Sequence, residues 1–180
     1  EGKEVRAEKT FTATTPNGVE LLEFTFDSRL LYGKEIVVFE TVYYEGKEVA
    51  VHHDIEDKNQ TVTTPKEPTV GTTAKDSETL DHISNADENV TIIDTVKYSN
   101  LEVGKEYTII GTLMNYGDGT ELLIGSKKVT ATVTFIATSS EGTIDLEFTL
   151  NATTLKGKTV IVFERLYKDQ LEVANHTDIN

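Results

Sequence analysis

The sequence predicts an all-β protein made of antiparallel β-sandwiches repeated in tandem. Three observations carry that expectation. Short runs rich in β-branched and aromatic residues alternate apolar and polar positions with period two. Turn-forming residues separate these runs at short intervals. The chain of 180 residues also matches itself at one constant offset.

Taken in order, the clearest runs are VTIIDTVKY (90–98), YTIIGTLM (107–114), KVTATVTF (128–135), IDLEFTL (144–150) and TVIVFERLY (159–167). Turns are expected at Tyr116-Gly117-Asp118-Gly119, Glu141-Gly142, Lys156-Gly157 and Asp169-Gln170. Many short strands at this spacing predict an immunoglobulin-like sandwich. No stretch has the period of a long amphipathic helix, and only a short turn is expected around 77–83.

The self-match appears at an offset of 124 residues. Val5 meets Val129, Phe11 meets Phe135, and Val38-Phe39-Glu40 meets Val162-Phe163-Glu164. Glu48-Val49-Ala50 meets Glu172-Val173-Ala174, and His52 meets His176. Such a period suits one whole domain rather than a solenoid unit. The stretch TVTTPKEPTVGTT (61–73) reads as a final strand, a linker and a new first strand. Residues 1–64 are therefore expected to be the C-terminal part of one repeat, without its first strands. Residues 65–68 form a linker, and residues 69–180 form a second repeat lacking its last strand. The expected picture is a window on a longer tandem array. No signal peptide is read at the start, so a mature chain or an excised fragment is expected.

Composition narrows the function. With 17 basic and 31 acidic residues the net charge is −14, which argues against nucleic-acid binding. Cysteine is absent, so disulfides cannot stabilise the chain. No apolar run approaches the ~20 residues that span a bilayer.

Several acids share the phase of apolar faces. Glu164 falls among Val160, Val162 and Leu166; Glu40 falls among Ile36, Val38 and Val42; Asp94 falls among Val90, Ile92, Val96 and Tyr98. A buried carboxylate is costly unless it is hydrogen-bonded or neutral. Capping a turn, or facing solvent from one side of an antiparallel sheet, is the plainer reading. Glu23 and Glu147 are out of phase with their strands' apolar sets. His52, Asp57 and Gln60 lie within nine residues at the end of a strand, which alone reads as a polar loop. Adjacent His52 and His53 point to opposite faces of a strand, and with no cysteine a zinc site is a poor fit. His82 reads as surface. No GxSxG nucleophile elbow occurs.

GTTAKD (71–76), TIIDTVKYSNLEVGKEYTIIGTLM (91–114), VIVFERLY (160–167) and HHDIEDKNQTV (52–62) resemble the VaFE-type repeats of Gram-positive cell-wall-anchored adhesins. They also resemble the Thr–Gln ester-bond domains in the stalks of such proteins, and the likeness covers essentially the whole chain. It implies an immunoglobulin-like sandwich stapled between its first and last strands by attack of a Thr hydroxyl on a Gln carboxamide, with loss of ammonia. Carried onto this chain, Gln60 is the electrophile, Asp57 the nearby acid and His52 the orienting group. His176 matches His52 in the second copy. Thr72 is the candidate nucleophile, with Thr73 as the alternative. Spacing to the histidine favours Glu23 and Glu147 as the assisting acid, whereas burial phase favours Glu40 and Glu164; the residues leave both open. Gln60 and Thr72 fall in neighbouring repeats, so neither repeat holds a complete pair.

The expected role is a stalk repeat of an extracellular, cell-wall-anchored adhesin or fimbria-like fibre. It needs no cofactor and no metal, and its only chemistry is single-turnover self-cross-linking. Its expected partners are neighbouring repeats of the same fibre, with any host ligand bound by a tip domain outside this chain. One alternative keeps the stalk with a Lys–Asn isopeptide, through Lys75 or Lys97 with Asp94 as acid, or with no cross-link. Another is a glycan- or matrix-binding sandwich module, which the absence of Trp disfavours.

Overall fold

The computed structural model describes residues 4–28 and 31–179. The chain divides into two compact units, Glu1–Pro65 and Lys66–Asn180.

In the first unit the strands are β1 (Glu35–Val37), β2 (Glu40–Tyr44), β3 (Lys47–His52) and β4 (Thr61–Thr63), with one 3-10 turn at Lys58–Gln60. Strands β2 and β3 form a hairpin, and β4 pairs antiparallel with β1. Glu45 and Gly46 both adopt positive φ, 51° and 72°, the turn that matches the twist of a two-residue hairpin. Asp57 caps the 3-10 turn by accepting from Asn59 N at 2.8 Å. Residues 4–28 form no strand.

The second unit is a two-layer β-sandwich. Its strands are β5 (Thr69–Asp76), β6 (Val90–Ser99), β7 (Glu106–Asn115), β8 (Leu123–Ile124), β9 (Lys127–Lys128), β10 (Thr130–Ile136), β11 (Gly142–Leu150), β12 (Val160–Lys168) and β13 (Leu171–His176). One layer runs β10-β7-β12-β13 and the other β11-β6-β5, all antiparallel. Period-two alternation sends Val96 and Tyr98 of β6, Leu146 and Phe148 of β11, Tyr107, Ile109 and Leu113 of β7, and Val162 and Leu166 of β12 into one core. Gly111 on β7 is a notch in that core. A Cβ there would stand 2.7 Å from Phe148 Cζ and 2.8 Å from Leu146 Cδ1.

Each expected strand run of residues 90–167 is found as a strand, and residues 77–82 are turns and bends. The 124-residue correspondence extends to geometry. Glu40 pairs with His52 as Glu164 pairs with His176, and a bulge follows Val42 as it follows Leu166. Asp169 and Gln170 repeat the positive φ of Glu45 and Gly46.

The two units differ in one respect. Segments 6–12 and 18–26 correspond to β10 and β11, yet only the second copy forms strands. In the second unit β10 is held by β7 and β11 by β6; the first unit has no strand equivalent to either among its described residues. A β-rich sequence stays extended and unladdered when its backbone groups have no strand to meet. Hence Val42 is 42% exposed, whereas its counterpart Leu166 is fully buried.

That contrast sets an expectation for mutants. Leu166→Ala should cost ~2–5 kcal/mol, and Val42→Ala within about 0.5 kcal/mol, read as shifts in urea-unfolding midpoint.

Candidate functional site

The second unit places two carboxyl groups inside its core, Asp94 from one sheet and Glu164 from the other, both with no exposed surface. Strand register explains the isolation of each. Asp94 lies between Leu146 and Ala74 on its own sheet, so no polar side chain stands directly across from it. Glu164 has Gly111 on one side and His176 on the other.

Two polar groups, Thr72 and His176, complete the cluster. Thr72, diagonal to Asp94 on β5, donates its hydroxyl to Asp94 Oδ1. His176 Nδ1 lies 3.2 Å from Glu164 Oε2. The carboxyl groups themselves interact across the interior. Burial pushes the Glu164 carboxyl up to about 10, aided by the neighbouring Asp94 charge. Burial also raises Asp94, opposed by the hydrogen bonds from Thr72 and Glu164. Asp94 Oδ2 and Glu164 Oε1 are buried without a heavy-atom donor. A proton held by Glu164 and shared with Asp94 satisfies both oxygens, as in other close carboxyl pairs.

The first unit assembles a complementary set. Gln60 Nε2 donates to Glu40 Oε2, His52 Nε2 lies 3.1 Å from Asp57 Oδ2, and His52 Nδ1 lies 4.0 Å from Glu40 Oε2. Gln60 Oε1 is buried and unpartnered. The amide nitrogen thus faces an acid while its carbonyl oxygen awaits a donor. The short 3-10 turn and β4 fix this geometry, since Val38 N donates to Gln60 O at 3.1 Å.

Of the residues expected at the site, Thr72, Glu164 and His176 come together in the second unit, and Glu40, His52, Asp57 and Gln60 in the first. Glu23 and Glu147 are exposed, and Glu147 points out of the opposite face of β11 from Leu146 and Phe148. The geometry therefore follows burial phase, not spacing to the histidine. Thr73 is exposed on the outer face of β5. Lys75 and Lys97 also project outward, away from Asp94, so the lysine cross-link finds no support in this geometry. Asp94 is the residue that the ester-site reading missed. Its signal is an acid inside the apolar set of β6, at the same phase as Val90, Ile92, Val96 and Tyr98. His82 is exposed. Among the described residues no group of His, Asp and Glu is arranged to hold a metal, and no helix is long and apolar enough to cross a membrane.

Chemically, the second unit offers a hydroxyl whose proton is aimed at a carboxylate, beside a protonated acid in a dry setting. The first offers an amide poised on the equivalent acid.

Comparison with known proteins adds to this geometry. A family model described as a T-Q ester bond containing domain matches residues 1–64 and 68–180. Among solved structures, a bacterial adhesin from Mobiluncus mulieris containing intramolecular disulfide, isopeptide and ester bond cross-links is similar over 63% of this chain and 54% of its own. It is 22% identical with a TM-score of 0.50. A second crystal form of that adhesin, with the same coverage, is 21% identical with a TM-score of 0.49. This chain thus spans about half of that structure, and the likeness is one of fold. No curated protein matches the sequence.

The raised Glu164 pKa makes stability depend on pH. Between about 4.5 and 10 the unfolded carboxyl has lost its proton while the folded one keeps it. The folded state binds more protons, so stability falls as pH rises, by up to ~1.4 kcal/mol per pH unit. Melting temperatures at pH 5 and pH 9 should show this decline, and Glu164→Gln should flatten it.

Proposed function

This chain belongs to the family of T-Q ester bond containing domains, and on that premise we propose that its repeats are stalk modules of a bacterial surface adhesin, each stapled once by a Thr–Gln ester. The observation that carries this reading is the pair of half-sites. One presents a Thr hydroxyl bonded to the buried Asp94, the other a Gln amide bonded to Glu40, the counterpart of the buried Glu164.

The chemistry follows from the contacts. Thr72 Oγ1 attacks the side-chain carbonyl carbon of a glutamine, and Asp94 takes the hydroxyl proton. The tetrahedral centre collapses with cleavage of the C–N bond. Glu164 gives its proton to the departing nitrogen, as the Gln60–Glu40 contact orients it, and ammonia leaves. Proton exchange between Asp94 and Glu164 restores the pair, so one hydroxyl and one amide become one ester and one ammonia. Burial protects the ester from water, and fixed strands replace a bimolecular encounter.

The tandem repeat, the sparse core of the first unit and the acidic surface agree with a module in a surface fibre. On this reading residues 1–64 and 69–180 are parts of successive repeats. The chain is not a turnover enzyme, since its nucleophile is consumed. Cell-wall anchoring and an extracellular position belong to the same proposal.

The test is the intact mass of the whole chain carrying Gln60→Ala and extended at its C terminus by DKNQTVT. The extension sets a glutamine at the same spacing from His176 that Gln60 has from His52. The product should be one ammonia light and opened by hydroxylamine, and Thr72→Ala should restore full mass. A full-mass product without that substitution removes the ester from this reading.

A further inference from the structure

We propose that Asn17-Gly18 is a site of self-modification: the Gly18 backbone nitrogen closes on the Asn17 carboxamide, ammonia leaves, and water opens the resulting succinimide to aspartate or isoaspartate. The proposal is independent of the ester and concerns a bend in the first unit.

Reaction of this kind needs a nitrogen that is open to approach and not already engaged. Asn17-Gly18 is the only Asn-Gly pair in the sequence. Gly18 has no Cβ to shield its nitrogen, and a Cβ built there would meet nothing within 4 Å. Both residues are exposed, at the end of the bend 14–17. Pro16 restricts the backbone just before the pair. Among the described residues nothing accepts from the Gly18 N–H, and nothing holds the Asn17 carboxamide. The one hydrogen bond at the pair assists the step. The Thr15 hydroxyl donates to Asn17 O at 2.6 Å. That oxygen belongs to the same peptide unit as Gly18 N, so the bond stabilises the anion formed when the nitrogen loses its proton.

The second unit shows the locked alternative. Its Asp118-Gly119 is the only Asp-Gly pair in the sequence. Gly119 N donates to Asn115 O at 2.9 Å. Asp118 Oδ1 accepts from Thr120 N at 3.0 Å and from Thr120 Oγ1 at 2.7 Å. Those bonds hold the Asp118 carboxyl below its ordinary value, and an ionised carboxyl is a poor electrophile. At the 124-residue offset Asn17-Gly18 becomes Glu141-Gly142, which has no carboxamide to lose.

The step balances with water alone. Gly18 N gives its proton to hydroxide and bonds to Asn17 Cγ, with the proximity of an intramolecular attack. The Cγ–Nδ2 bond breaks, and the nitrogen takes a proton from water and leaves as ammonia. Water then adds to one of the two ring carbonyls. Opening at Cγ gives aspartate with the backbone restored. Opening at the main-chain carbonyl gives isoaspartate, with the backbone routed through the side chain. Either product adds one negative charge to an already acidic chain.

The experiment ages the whole chain at pH 6 and pH 8 and follows its tryptic peptide 10–29 by mass spectrometry. The Asn17 carboxamide should be lost progressively to aspartate and isoaspartate, faster at pH 8 because the attacking nitrogen must lose its proton. Unfolding in guanidinium should leave the rate unchanged. Asn17→Gln should abolish the conversion and Gly18→Ala should slow it. A peptide that keeps its carboxamide would overturn the proposal. So would conversion that accelerates on unfolding, because the fold would then be shielding the pair. Hydroxylamine separates this ring from the Thr72 ester, although each is one ammonia light. It should cut the backbone into 1–17 and 18–180 in the parent and in Thr72→Ala alike, whereas opening an ester leaves the chain whole. A parent chain left uncut, or a cut that persists in Asn17→Gln, would also overturn the assignment.

Discussion

The rest of this structure depends on one constraint: a strand persists only where a neighbour takes up its backbone hydrogen bonds. In the second unit two sheets meet that requirement and enclose a core. In the first, the matching sequence over residues 4–28 finds no ladder, and apolar side chains such as Phe11, Val19 and Leu21 stay largely exposed. The hairpin survives in both units, as β2–β3 and as β12–β13, because its turn, with two residues at positive φ, is local.

Inside the sandwich that constraint produces chemistry. Putting two carboxyls from opposite sheets into one dry interior is expensive unless they share a proton. The core can bear this because Gly111 leaves room across from Glu164 and the large side chains Phe148 and Leu146 fill the notch. Thr72 would be an ordinary strand hydroxyl without Asp94. Glu164 would be an ordinary carboxylate with water around it.

Much of this was legible in the sequence, for physical reasons. Strands β6, β7, β10, β11 and β12 announced themselves through period-two alternation. Asp94 and Glu164 announced themselves as acids in phase with apolar neighbours, and that phase outweighed the spacing that pointed to Glu23 and Glu147. What one strand's pattern cannot carry is the pairing of two strands across sheets. The sequence of β6 thus leaves Asp94 open to an isopeptide role with Lys75 or Lys97, whereas both lysines project from the outer face. The identity of Thr72 over Thr73 followed the same parity.

The separation of Asp94 and Glu164 has a temporal consequence. They lie far apart along the chain and meet only when both sheets have closed on each other. In an unfolded or half-assembled chain Thr72 has no base, and no acid is dry enough to hold its proton at neutral pH. On the proposed ester reading, reactivity is therefore a late product of maturation: a misassembled molecule stays unsealed, and only one that has found its native packing closes the bond.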